Sequence, residues 1–133
     1  MTSKNSSSTK PSRLVPLAWV SIALAVSCQF FNDIFCYEKT LLESLMWIWF
    51  TLTPIVPALF FLFSKKHVGA TIAALVVIPF YAMAYYSDCV LPYQGGGASM
   101  VYVIVIMVGT PTALAAGFIA NFVANKIASS SAD

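Results

Sequence analysis

Charged residues are scarce in this chain of 133 residues: only 9% are Lys, Arg, Asp or Glu, while 59% are hydrophobic. An average soluble domain carries about 25% charged residues. A soluble chain this small could not cover so much apolar surface, so lipid must be part of its solvent. The net charge of +2, with no basic patch, also argues against a nucleic-acid-binding protein.

Residues that usually carry catalysis are equally sparse. The single histidine, His67, has no second imidazole or cysteine pair near it, so a zinc site is not expected. The only carboxylate predicted on the same side of the membrane is Asp133, which rules out a Ser-His-Asp set. The three cysteines include no Cys-x-x-Cys pair, which disfavours a membrane thiol oxidoreductase. We therefore expect no enzyme, no metal and no cofactor.

Long apolar runs are what the chain has instead. Four of them are long enough to cross a bilayer, since about 20 helical residues span the hydrocarbon core. They must be helices, because an open strand would leave backbone groups unpaired in lipid and no period of two is present. The predicted fold is all-α: a polytopic membrane four-helix bundle with spans at about residues 14–35, 45–64, 68–87 and 99–125.

The basic residues mark one side of the membrane. Six of the seven precede span one, fill the turn between spans two and three, or follow span four: Lys4, Lys10, Arg13, Lys65, Lys66 and Lys126. The other side holds acidic residues and a single lysine: Asp33, Glu38, Glu43, Asp88 and Lys39. Because Lys and Arg accumulate in cytoplasmic segments, we predict an integral plasma (inner) membrane protein with both termini cytoplasmic.

The chain is predicted to have one domain between two short tails. Residues 1–13 are rich in Ser, Thr and Lys and predict a disordered cytoplasmic tail, residues 14–126 form the four-span domain, and residues 127–133 form a short cytoplasmic tail. An alternative stays open, because residues 1–28 also resemble a signal sequence. If they are cleaved, three spans remain and the argument from charge fails.

The two predicted hairpins resemble each other. Phe-Phe-Asn-Asp at 30–33 ends span one, Tyr-Tyr-Ser-Asp at 85–88 ends span three, and Thr-Pro occurs at 53–54 and at 110–111. A true repeat would give two pseudo-symmetric hairpins related by an axis along the membrane normal. Asp33 would then lie at the same depth as Asp88. Chance similarity is the alternative.

Cys36 and Cys89 are a candidate disulfide. Each follows the end of a predicted span on the outer side, and in a bacterial envelope that compartment is oxidising. A bond between them would join the two hairpins. The alternative is two unlinked thiols, because Cα atoms more than about 7 Å apart could not be bridged.

Gln29, Asp33 and Asp88 form a candidate polar or ion site near the outer boundary. Acidic groups within spans are costly and usually functional. Gln29 and Asp33 lie one helical turn apart and share a face, and Asn32 and Glu43 could assist. The alternative is that both carboxylates end their spans in contact with water or headgroups.

Span four carries a candidate helix-packing face made of Gly109, Ala113 and Gly117, at intervals of four residues. Small residues let helix backbones approach closely, within the bundle or against a partner. Pro54 and Pro57 in span two each remove a backbone donor and predict a bend.

The leading functional prediction is a small non-enzymatic membrane protein that acts as an accessory, interaction or immunity-type protein. Its expected partners are the lipid bilayer and a membrane protein, or further copies of itself as a homo-oligomer. The alternative is a small oligomeric transporter or channel for a cation, proton or small molecule, and a redox protein using Cys36 and Cys89 is a weaker third. The hallmark of small multidrug transporters, an acidic residue in the middle of span one, is absent between Val15 and Cys28.

Overall fold

The computed structural model describes residues 13–91 and 100–130, which are helical and contain no strand. The elements are α1 (Leu14–Phe35), α2 (Leu41–Thr51), a 3-10 turn (Thr53–Ile55), α3 (Val56–Phe63), α4 (His67–Tyr85) with a π-helical turn (Tyr86–Val90), α5 (Val101–Ile104), a second π-helical turn (Val105–Gly109) and α6 (Thr110–Ser130). Three helical segments are long and apolar enough to cross a membrane, and a fourth is added if α2 and α3 form one bent span. The all-α prediction is confirmed.

Three of the predicted spans correspond closely to helical segments. The first coincides with α1, the third with α4 and its π-helical turn, and the fourth with the segment from α5 to α6. The last helix continues to Ser130, so the predicted C-terminal tail at residues 127–133 begins as helix. Residues 1–12 of the predicted N-terminal tail, together with residues 92–99 and 131–133, lie outside the described residues.

The second predicted span, residues 45–64, is wrong as a single helix. α2 already starts at Leu41, because Thr40 and Glu43 form a capping box. The Thr40 backbone N–H donates to the Glu43 carboxylate at 2.9 Å, and the Glu43 N–H donates to the Thr40 hydroxyl at 3.3 Å. α2 ends at Thr51, and the segment that follows departs at 51°.

The break between α2 and α3 follows from its prolines. Pro54 and Pro57 have no backbone N–H, so neither can donate the α-helical bond of its position. The N–H of Ile55 instead donates to the Leu52 carbonyl at 2.9 Å and closes the 3-10 turn. In a regular α-helix the Ile55 N–H would donate to the Thr51 carbonyl, so this carbonyl needs another donor. The Tyr81 hydroxyl, described below, supplies it.

α4 lies at the centre of the helical packing and contacts α1, α3 and α6. Its buried face consists almost entirely of small residues, with one large aromatic near its C-terminal end: Gly69, Ala70, Thr71, Ala73, Ala74, Val77, Tyr81 and Ala84. Small side chains let neighbouring backbones approach closely. In lipid the hydrophobic effect does not drive helices together, so this close van der Waals packing stabilises the bundle instead.

The arrangement lacks the twofold symmetry expected of two equivalent hairpins. α4 packs extensively against α1, α3 and α6, whereas α1, its expected counterpart, packs extensively only against α4. A twofold axis would give both helices equivalent neighbours. The described residues therefore do not show the equivalent packing that two pseudo-symmetric hairpins would have.

Gly109, Ala113 and Gly117 are all buried inside the molecule. Gly117 lies against the fully buried Phe61, and a Cβ atom at residue 117 would come within 2.7 Å of the Phe61 Cδ2 atom. A Cβ atom at Gly69 would lie 2.8 Å from the Gly117 carbonyl oxygen, so α3, α4 and α6 meet at this point.

α4 also begins at this crossing. The N–H of Gly69 donates to Oδ1 of Asn121 at 3.1 Å. This bond matters because the first N–H groups of a helix have no partner within the helix. α6 thus caps the start of α4 from the side.

Replacing Gly117 with valine should destabilise the protein, because the added atoms overlap the Phe61 ring. Overpacking of this kind costs roughly 1–3 kcal/mol. Thermal unfolding of the purified variant in detergent measures the effect. Ala115→Val is the matched control, since Ala115 is exposed on the same helix. Equal stability of the two variants would contradict the packing described here.

Candidate functional site

The disulfide end of the molecule, defined by Cys36 and Cys89, gathers most of its buried polar side chains. The two cysteines are bonded, with Cα atoms 5.6 Å apart and a sequence separation of 53 residues. That Cα distance lies within the range of about 4.4–6.8 Å found for disulfides. The bond joins the segment after α1 to the π-helical turn after α4, while Cys28 remains a free, partly buried thiol.

A tight reversal follows α1 and brings Lys39 back over the helix end. The N–H of Lys39 donates to the Asp33 carbonyl at 3.1 Å. The reversal requires a positive φ of 51° at Glu38. For a residue other than glycine this left-handed conformation costs about 1–2 kcal/mol. The cost is offset locally by the disulfide at Cys36 and by the ion pair that the reversal creates.

That ion pair joins Lys39 to Asp33, with Nζ 3.4 Å from Oδ1. The Asp33 side chain is only 3% exposed and that of Lys39 is 29% exposed. The alternative that water or headgroups solvate Asp33 is therefore wrong. A buried carboxylate needs a cation or several hydrogen bonds nearby. The pair also explains why the one lysine among the acidic segments is there.

A buried polar layer lies beside the ion pair and ties four helical elements together. The Tyr102 hydroxyl donates to Oε1 of Gln29 at 2.7 Å, which joins α5 to α1. Nδ2 of Asn32 donates to the Tyr81 carbonyl at 3.0 Å, which joins α1 to α4. The Tyr81 hydroxyl donates to the Thr51 carbonyl at 2.8 Å and so satisfies the acceptor left at the end of α2.

Asp88 belongs to the same end of the molecule through Tyr37. The Tyr37 hydroxyl donates to the Asp88 carboxylate. The Tyr37 ring also packs edge to face against the Tyr102 ring, with centroids 5.6 Å apart. The two tyrosines thus link the part-buried contact to Asp88 with the buried contact to Gln29.

The structure brings Gln29, Asp33 and Asp88 to one end of the bundle, but each bonds a different partner. Gln29 accepts from Tyr102, Asp33 pairs with Lys39, and Asp88 accepts from Tyr37. The Glu43 carboxylate, which was expected to assist, caps the start of α2.

A pocket of about 370 Å³ opens beside Lys39. Its lining combines aromatic side chains with one ammonium group and one threonine: Tyr37, Lys39, Trp47, Phe50, Thr51 and Tyr102. The Lys39 ammonium lies 5.3 Å from the centroid of the Tyr37 ring, within the range of a cation–π contact. The pocket therefore combines an aromatic surface with one positive charge.

α2 forms the outer wall of this pocket and directs most of its side chains away from the bundle. Its buried residues are Ser44 and Thr51, seven positions apart on one face. Trp49 is 88% exposed and Met46 is 72% exposed, the highest values among the large side chains of α2. The helix therefore presents a broad apolar and aromatic face that no described residue covers.

Several residues of the site escaped the sequence analysis. The sequence marks Lys39 only as an exception to the charge asymmetry, and nothing in it ties Tyr102 to Gln29. The Thr-Leu-Leu-Glu sequence at 40–43 is a capping-box signature that marks the true start of α2. No local pattern identifies Tyr81 as the donor to Thr51, because that contact joins residues 30 positions apart.

No family model, curated protein or solved structure gave a significant match to the chain. The geometry alone therefore defines the class: an all-helical membrane protein whose described residues carry one disulfide and a buried polar layer beside it.

Denatured but unreduced protein should react with a maleimide at Cys28 alone, and at all three cysteines after reduction. Intact mass measures the number of adducts.

Cys36→Ser should lower the free energy of unfolding by about 2–4 kcal/mol, because the bond closes a long loop. Cys28→Ser is the matched control and should change stability little. Three reactive thiols without reductant would contradict the bond.

Proposed function

We propose that this protein is a four-helix bundle of the plasma (inner) membrane with both termini in the cytoplasm. In this proposal α2 and α3 form the second, bent crossing. The protein acts as a non-enzymatic accessory or immunity-type protein that binds another membrane protein or an incoming toxin. The exposed face of α2 carries the proposal, because this helix leaves most of its large side chains without partners in the described chain.

Charge and redox chemistry support the orientation. Lys65 and Lys66 lie in the turn between α3 and α4, at the opposite end from the disulfide. Basic residues concentrate on the cytoplasmic side of membrane proteins. A disulfide persists on the oxidising side of the membrane. Both preferences are met when the disulfide end faces outward.

The composition of α2 supports binding of a protein. Its exposed residues include Met46, Trp47 and Trp49. Tryptophan and methionine are enriched where proteins contact each other, and tryptophan often dominates the binding energy. Lipid covers apolar side chains as well, but the small-residue face of α6 is already occupied within the bundle. Exposed apolar residues also lie on α1 and α6, but among the described helices α2 carries two exposed tryptophans, and this composition favours α2 for a partner.

The second candidate is an oligomeric transporter or channel, favoured by one observation. The buried Asp33 carboxylate pairs with the partly exposed Lys39, which lines a pocket near the disulfide end. Ionisable residues at membrane depth commonly line the routes of ions and substrates. In this candidate the face of α2 contacts further copies of the chain.

Photo-crosslinking from native membranes separates these proposals. A photoreactive amino acid replaces Trp49 in one variant and Phe122 in another. Phe122 is the matched control, because it is an exposed aromatic residue on α6, away from α2. We expect residue 49 to crosslink to one foreign protein in defined stoichiometry, and residue 122 to give only lipid adducts.

The other outcomes are equally informative. Crosslinks from residue 49 to copies of the same chain alone would favour the transporter or channel. Lipid adducts from both positions would contradict both uses of α2. Identical foreign proteins captured at both positions would show that the contact does not depend on this face.

A further inference from the structure

We propose that the side of α6 next to the turn between α3 and α4 binds the headgroup of an anionic phospholipid, through Lys65, Lys66 and Lys126. The proposal goes beyond any protein partner of α2, which lies toward the other end of the molecule. It rests on the projecting end of α6, on the placement of the charges and on the backbone conformation of Lys65.

α6 continues well past the start of the helix beside it. Gly69, near the start of α4, donates its N–H to Asn121 of α6. A Cβ atom at Gly109 would lie 3.4 Å from the Phe80 ring, so the two helices run antiparallel. α6 ends only at residue 130, so residues 122–130 add about 13 Å of helix beyond the start of α4.

This side of α6 combines exposed aromatic side chains with a lysine. Phe118, Phe122 and Lys126 follow one another at intervals of four residues, so each lies one turn from the next along the helix. All three are exposed. Apolar side chains that lead to a lysine at a helix end suit the boundary between acyl chains and headgroups.

The turn between α3 and α4 places two further cations beside these aromatic side chains. The Lys66 ammonium lies 5.9 Å from the centroid of the Phe118 ring, and Lys65 precedes it in the turn. The acidic residues of the described chain all belong to the disulfide end: Asp33, Glu38, Glu43 and Asp88. No described carboxylate therefore competes with an anionic ligand for these lysines.

The backbone at Lys65 gives this side chain a role outside the packing of the fold. The Lys65 N–H donates to the Leu62 carbonyl and the Lys66 N–H donates to the Phe61 carbonyl, which together form a Schellman helix ending. The left-handed residue of this motif is usually glycine, but here it is Lys65, with a φ of 59°. A lysine held in an unfavourable conformation at an exposed position is a candidate for function.

A phospholipid with a net negative headgroup fits these features together. Its phosphate would lie between Lys66 and Lys126, while an acyl chain packs against Phe118 and Phe122. A free phosphate ion would leave the aromatic side chains unused. Each lysine near a membrane surface should favour an anionic over a zwitterionic headgroup about fivefold.

Competition between two lipids tests the site. Full-length protein in neutral detergent receives equal amounts of phosphatidylglycerol and phosphatidylcholine with identical acyl chains, and native mass spectrometry counts the bound lipids. The wild-type protein should retain phosphatidylglycerol in clear excess. Equal retention of the two lipids would overturn the proposal without the need for any variant.

Lys65→Gly separates lipid binding from stability. The preference for phosphatidylglycerol should fall about fivefold, because one cation is lost. The Tm should stay equal or rise, because glycine adopts the left-handed conformation without strain. A lower Tm with an unchanged lipid preference would show that Lys65 only supports the fold, and would contradict its role in the site.

Arg13→Gln is the matched control. It removes one cation at the same end of the molecule, but from the start of α1, which packs mainly against α4. This variant should keep the lipid preference, whereas Lys126→Gln should lower it as Lys65→Gly does. Equal losses in Arg13→Gln and Lys126→Gln would reduce the effect to overall charge and overturn the site.

Inorganic phosphate distinguishes a lipid from a soluble anion. Added in millimolar excess before the measurement, it should leave phosphatidylglycerol bound, because it cannot contact Phe118 or Phe122. Displacement of the lipid by phosphate would assign the lysines to a free anion and contradict the proposal.

Discussion

The hydroxyl of Tyr81 and the carbonyl of Thr51 form the bond on which the position of α2 depends. Pro54 forces α2 to end, and the 3-10 turn that follows leaves the Thr51 carbonyl without its helical donor. In lipid such an acceptor must be bonded within the protein. Tyr81 meets that requirement from near the C-terminal end of α4 and thereby fixes the position of the break between α2 and α3. The apolar face of α2 and the pocket behind it both follow from this placement.

Charge imposes the second constraint at the same end of the molecule. Burial of Asp33 requires a cation, and the reversal through Glu38 brings Lys39 into place despite its unfavourable φ. The reversal also lies beside the disulfide and the bond from Tyr37 to Asp88. A partner of α2 would therefore contact a region held together by a few polar interactions.

The sequence predicts much of this fold and less of the site. Apolar run length locates α1, α4 and α6 because the hydrocarbon core sets a minimum length for a span. Cys36 and Cys89 can be paired because both follow span ends on one predicted side. The pairing of Asp33 with Lys39 cannot be deduced, since it depends on a positive φ at a residue other than glycine. The asymmetric packing of α4 depends on side-chain fit, which the similar ends of spans one and three do not reveal.

Removal of a single hydroxyl tests the central claim most directly. Tyr81→Phe keeps the ring in the core but leaves the buried Thr51 carbonyl unpaired, which costs about 1–3 kcal/mol. Tyr86→Phe is the matched control, because Tyr86 is 55% exposed. Thermal unfolding combined with amide hydrogen exchange should show lower stability and faster exchange at residues 51–56 in Tyr81→Phe alone. Indistinguishable stability and exchange in the two variants would contradict the account.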